Sequence, residues 1–268
     1  MMVKRFSGGK GVEVMGADEP FGQGSALPIR EGNPTVMGFL FLQESALNLN
    51  LLGAQVRQEF GEEAHLELRE ELLLEDKLLM VTLHLGGTTL LCTHMPFPMS
   101  GAEQETVLER LSEDSPLYES VRGHGSFLIV STINQDPGRR MGVCYVFQRF
   151  CALLMSLSDA CAIYLSGTKL LLSSRDYCGQ VELAKRMGQG RGAYFPTPLW
   201  IGVELPDEGR LARTLGMADF GRCELCLPAS PLDRQKVVER LHRLCMQELI
   251  SPGSPCQRHT DRGPGAPL

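Results

Sequence analysis

A cysteine and a histidine two residues apart, Cys92 and His94, close an apolar run just ahead of Pro96, Phe97 and Pro98. Those residue types are the ingredients of a thiol nucleophile and its general base. The chemistry also needs the base in hydrogen-bond reach, an orienting group and oxyanion donors. In a strand, residues i and i+2 project to one face, but their side chains stand parallel, about 7 Å apart. That is long for a proton transfer, and activated thiols favour helix N-termini. A core thiol beside a strand-end histidine is the better reading, and no catalytic residue is assigned. His94 is kept as an interaction candidate with Glu103, the carboxylate that would serve a hydrolase centred on this loop.

The other reactive side chains are weaker candidates. Cys223 and Cys226 form a C-x-x-C, but structural zinc wants a second such pair or a histidine knuckle. A redox pair would open a helix, whereas these residues sit in a strand-like segment closed by Pro228. Cys144 and Cys151 share one helical face at packing spacing. Glu103, Glu105, Glu109 and Glu113 read as a solvated helix face. The histidines form no metal-ligand spacing, and about the Gly86-Gly87 turn His84 should face Thr89, away from His94. The glycine-rich stretch from Met187 follows a helix, the reverse of a phosphate loop. No cofactor or metal is expected. Tyr194, Phe195 and Trp200 are interaction candidates if exposed, although core anchoring is favoured.

These residues must be positioned by a mixed α and β chain. Residues 1–34, rich in Gly and Pro, read as a flexible arm, and residues 251–268 as a disordered tail. Between them, 35–250 reads as one α+β domain with mixed or antiparallel sheets, divisible at most into 35–133 and 138–250. Strands at Thr35–Gln43, Leu78–Leu85, Thr88–Thr93 and Gly125–Ile133, with helices after Ser45 and Gly101, give β-α-β-β-α-β, a ferredoxin-like order. Gly86-Gly87 marks a hairpin. The charged stretch from Glu67 to Lys77 is a helix or a strand edge. The second half reads α-β-α-β-β-β-α. A helix at about Gly138–Ser158, apolar nearly all round, should be central. The last helix should be capped by Ser230, with Pro231 next and its apolar face on Leu232, Val237, Val238, Leu241, Leu244, Cys245 and Leu249.

The chain has 268 residues, a net charge of −6 and a pI near 5.6. Mild acidity argues against nucleic acid as partner. The longest apolar run, Phe150–Leu165, is too short to span a bilayer and contains Asp159, so no membrane role is expected. No secretory signal pattern is visible at the start, and nine cysteines without framework spacing suggest free thiols and a cytoplasmic location.

From Pro198 the pattern becomes specific. An apolar strand is followed by Thr214-Leu-Gly-Met217, Phe220-Gly221, a short strand and the Ser230-Pro-Leu-Asp233 helix start. This segment resembles the bacterial DUF4261 domain family, and the likeness extends more weakly back to Thr35. The resemblance implies an α+β domain, often in bacteria with contact-dependent competition systems, and supplies no catalytic residues. The expected function is therefore non-enzymatic binding of a protein partner, as an immunity or adaptor protein of a secreted effector. The alternatives are a hydrolase at His94 and Glu103, or a structural or regulatory domain that forms a homo-oligomer.

Overall fold

A computed structural model of the chain describes residues 35–73, 76–133, 139–188, 194–205, 211–227 and 234–250. The arm, the tail and the Ser230 cap lie outside them. Among the described residues the fold is α+β, built on a seven-stranded sheet with a three-stranded sheet beside it.

The chain enters at β1 (Met37–Leu47), which runs on through Ser45, and α1 (Leu49–Phe60) begins after Asn48. β2 (His65–Leu73), β3 (Asp76–Leu85) and β4 (Thr88–Met95) then form a meander. At the β3–β4 turn Gly86 and Gly87 have φ of 54° and 78°, the positive values a type I′ turn demands at both centres. The expected register follows, with His84 opposite Thr89. α2 (Ala102–Leu108) and α3 (Pro116–Arg122) lead to β5 (Ser126–Ile133). α4 (Arg140–Ser156), β6 (Ser158–Leu165), β7 (Leu170–Ser173) and α5 (Ser174–Gly188) complete the large layer.

The strand order is β2-β3-β4-β5-β1-β6-β7, and every pairing is antiparallel. This corrects the ferredoxin-like expectation. A split βαβ unit interleaves its strands and so has a parallel neighbour, whereas β1 here lies antiparallel between β5 and β6. The sheet thus takes strands from both halves of the chain. The charged stretch after Glu67 resolves as the edge strand β2, where exposed Arg69 and Glu70 guard the open edge.

Alternation sorts each strand between two faces. Leu90, Cys92, Leu128, Val130, Leu40 and Ile163 point to the first face, where they pack against α1, α4 and α5 in the main core. α4 is central, as its composition requires: Cys144, Phe147, Phe150, Cys151 and Leu154 are all fully buried. Its approach to β1 is close. A Cβ on Gly38 would stand 3.2 Å from the Phe147 ring, so this position favours a residue without one.

The small sheet has the order β10-β9-β8, from β8 (Gly202–Glu204), β9 (Ala212–Leu215) and β10 (Cys226–Leu227). α7 (Arg234–Ile250) covers it with Val237 and Leu241, and extends Cys245 and Leu249 into the main core. Leu199 and Trp200, read above as strand, belong to the short helix α6 (Thr197–Trp200).

Candidate interaction face

The sequence candidates are separated by the sheet. Cys92 lies opposite Val81 and Val130, and His94 opposite Leu79 and Leu128, all on the first face. Cys92 is buried, and burial alone pushes its thiol up to about 12. Burial also lowers the His94 pKa, and its Nε2 has no hydrogen-bond partner. Glu103 is exposed in the first turn of α2. That helix packs on the second face through Val107. His94 and Glu103 therefore sit on opposite sides of a sheet, and the structure assembles no acid–base couple from them.

The remaining thiols follow the same physics. Burial pushes Cys144 to about 12 and Cys151 well above its ordinary value. Cys226 is a free thiol, so it forms no bridge with its C-x-x-C neighbour. Cys223 departs from the expectation of free thiols, being disulfide-bonded. Between them Glu224 holds the preceding turn: it accepts from Thr214 Oγ1 at 2.6 Å and from the backbone N–H of Gly216 at 2.9 Å. Among the described residues no group of three or more His, Cys, Asp or Glu side chains is placed to hold a metal ion.

Phe195 and Trp200 are not a surface patch. They are 3% and 4% exposed. Trp200 Nε1 donates to Gln148 Oε1 at 3.0 Å, and its ring meets Phe147 edge-on at 5.8 Å. They anchor the small sheet to α4, and Tyr194 is half-buried beside them. Nearby, the part-buried pair Arg140–Asp219, 3.3 Å apart, lines a small cleft with Thr168 and Trp200. Its volume of about 20 Å³ suits a water. Thr168 Oγ1, buried without a protein partner, is the group a water would satisfy. Seventy-nine residues separate this pair, and no local pattern signals it.

The second sheet face has a different character. α2 and α3 cover one end of it, burying Phe41, Phe127 and Ala162 under Met99, Val107 and Val121. One residue pair further along every strand, the registers align Met80, Thr93, Ile129, Phe39, Tyr164 and Leu171 in one row. All of these except buried Tyr164 are partly exposed. Beyond it lie Thr82, Leu91, Ser131 and Met37, and then His65, His84, Thr89 and Ile133. Ile133 is 39% exposed, and Phe97 on the β4 exit loop is 37% exposed. His65 and His84 stack with ring centres 6.1 Å apart, and His84 Nδ1 meets Thr89 Oγ1 at 3.1 Å. This half-covered face is a broad surface of apolar side chains with hydroxyls and imidazoles between them.

Comparison with family models, with curated proteins and with solved structures finds no match. Among the described residues no helix is long and apolar enough to cross a membrane.

Proposed function

We propose that the chain is a non-enzymatic protein-binding protein that engages its partner through the open part of the second sheet face. One observation carries this reading: Met80, Leu91, Ile129, Phe39 and Ile133 remain partly exposed across adjoining strands, although α2 and α3 cover the neighbouring row of the same face. Adjoining apolar side chains left partly exposed on one face, with Ile133 39% exposed among them, support an interaction site. The thiols support the same view, because burial makes them poor nucleophiles. An immunity or adaptor role toward a secreted effector is the specific form proposed, on the strength of the DUF4261 resemblance.

The test is affinity capture from the native host with wild-type chain and with the double variant Leu91→Glu/Ile133→Glu. A stoichiometric partner retained by wild type and lost by an equally stable variant is expected. Equal retention by the variant, or no stoichiometric partner of the wild type, overturns the proposal.

A further inference from the structure

His124 sits between α3 and β5 and is 3% exposed. Its ring lies edge-on to Phe41 at 4.9 Å and to Phe127 at 6.2 Å. Both ring nitrogens are bonded to backbone. Nδ1 is 2.6 Å from the carbonyl of Val121, and Nε2 is 2.8 Å from the amide nitrogen of Met99. A carbonyl only accepts, so Nδ1 carries the proton. An N–H only donates, so Nε2 must be bare. The neutral Nδ1–H tautomer is therefore the one form that satisfies both contacts.

The two contacts tie the cover of the second face together. Met99 follows the Pro96–Pro98 loop and is itself buried within the cover, while Val121 lies in the last turn of α3. Three other polar contacts hold this cover: Gln43 Nε2 donates to the Ser120 carbonyl at 2.9 Å, Gln104 Nε2 to the Arg122 carbonyl at 3.0 Å, and Cys161 Sγ of β6 to the Ser120 carbonyl at 3.7 Å. The amides do not titrate, and burial raises the Cys161 thiol pKa, so it stays protonated in acid. From β1 and β5 the ring meets Phe41 and Phe127, and from α2 and α3 the charged side chains Glu103, Glu105, Glu119 and Arg122 are exposed.

We propose that His124 is a proton-operated latch on the α2–α3 cover of the interaction face. A proton arriving from solvent takes the Nε2 lone pair, the one that now accepts from the Met99 N–H. The ring then presents N–H toward the Met99 N–H, the acceptor for that amide is lost, and two donors face each other. The loop at Met99 loosens, and the row of Phe41 and Phe127 is uncovered next to the open row. The latch rests on the proposed binding role only for its biological use; the chemistry stands without it. Burial lowers the ring's pKa below the ordinary 6.5, opposed by the hydrogen bond to Val121. The latch therefore holds at neutral pH and opens in more acid conditions.

The experiment follows ring ¹⁵N resonances and the protection factor of the Met99 amide, corrected for intrinsic exchange, from pH 8 to pH 4.5. Wild type is expected to show the Nδ1–H tautomer at neutral pH and a fall in Met99 protection of about tenfold or more on acidification, the size of one lost hydrogen bond. His124→Gln retains one donor and one acceptor without a titration, and should flatten that pH dependence. An Nε2–H tautomer at neutral pH overturns the proposal, as does equal pH dependence in His124→Gln or Met99 protection that ignores pH in wild type. A functioning latch with no partner captured would leave the latch intact and sink the binding reading alone.

Discussion

Glu59, at the C-terminal end of α1, ties three helices together. Its carboxylate accepts from Arg149 Nε of α4 at 2.8 Å and from Lys185 Nζ of α5 at 2.7 Å. The Arg149 guanidinium also donates to the Glu59 carbonyl and lies 4.8 Å from the centre of the Phe60 ring. The three side chains are 21–24% exposed, between a surface pair worth about 0.2–1 kcal/mol and a buried one whose rupture costs about 3–5 kcal/mol. Glu59→Gln keeps the shape and leaves two cations facing a neutral amide. Two charge-assisted hydrogen bonds weakened at this depth should cost about 1.5–2.5 kcal/mol, or roughly 3–10 °C in Tm for a domain of this size. The pH dependence gives the sharper check. Burial raises the Glu59 pKa, but the hydrogen bonds from Lys185 and Arg149 outweigh it and leave the carboxyl below its ordinary 4.5. A depressed folded-state pKa means that the stabilisation is complete above the unfolded value and disappears as pH falls through the folded one. Urea unfolding of wild type and Glu59→Gln should differ fully at pH 7 and converge in strong acid. A difference under 0.5 kcal/mol at pH 7, or one that persists undiminished in strong acid, would refute the clamp.

Three further outcomes follow from the structure. With thiols near 12, Cys92 and Cys144 should be about one part in ten thousand thiolate at pH 8; an aromatic disulfide reagent should modify them only on unfolding, and fast labelling of Cys92 would contradict its burial. Gly216 has φ of 114°, and a Cβ there would stand 2.7 Å from the Trp200 carbonyl; Gly216→Ala should cost about 2–4 kcal/mol, and a chemical-denaturation midpoint matching wild type would show that the turn relaxes freely. Trp200→Phe removes the donor to Gln148 Oε1 inside the core and should cost about 1–3 kcal/mol, measured the same way; an unchanged midpoint would mean that Gln148 is satisfied by other means.

Legibility from sequence tracked the physics of each element. α4, α5 and the apolar stripe of α7 were readable because their periodicity is local, and so was the Gly86-Gly87 hairpin, whose turn chemistry fixes its register. β2 was ambiguous because its charges obscure the alternation of Leu66 and Leu68, and only pairing with β3 reveals an edge strand. The antiparallel contact of β1 with β6 joins residues more than a hundred positions apart, which no local pattern records. The same holds for the site. His94 and Glu103 are close in sequence, but strand parity sends one to the first face while α2 packs on the second. His124 carries no signal in the sequence because both its partners are backbone groups, and main-chain amides leave no residue-type signature.

The contrast between the two faces bears on how a partner would be held. The first face is mostly hydrocarbon, with His94 and Thr132 among its apolar side chains, and under three long helices it has the character of a domain core. The open rows of the second alternate Met80, Leu91, Ile129 and Ile133 with Thr82, Thr89, Thr93 and Ser131. Obligate interfaces resemble a core cut in half, whereas reversible ones are little more apolar than ordinary surface and keep a polar rim. Hydroxyls at every second step let this face stay hydrated when alone and still bury methyl and thioether groups when engaged. The face is therefore suited to an exchanging partner. Release of the His124 latch would extend it by Phe41 and Phe127, the two aromatic rings the cover now withholds. Aromatic anchors in desolvated positions carry a disproportionate share of binding energy, so a modest movement of two short helices would change affinity more than the added area alone suggests.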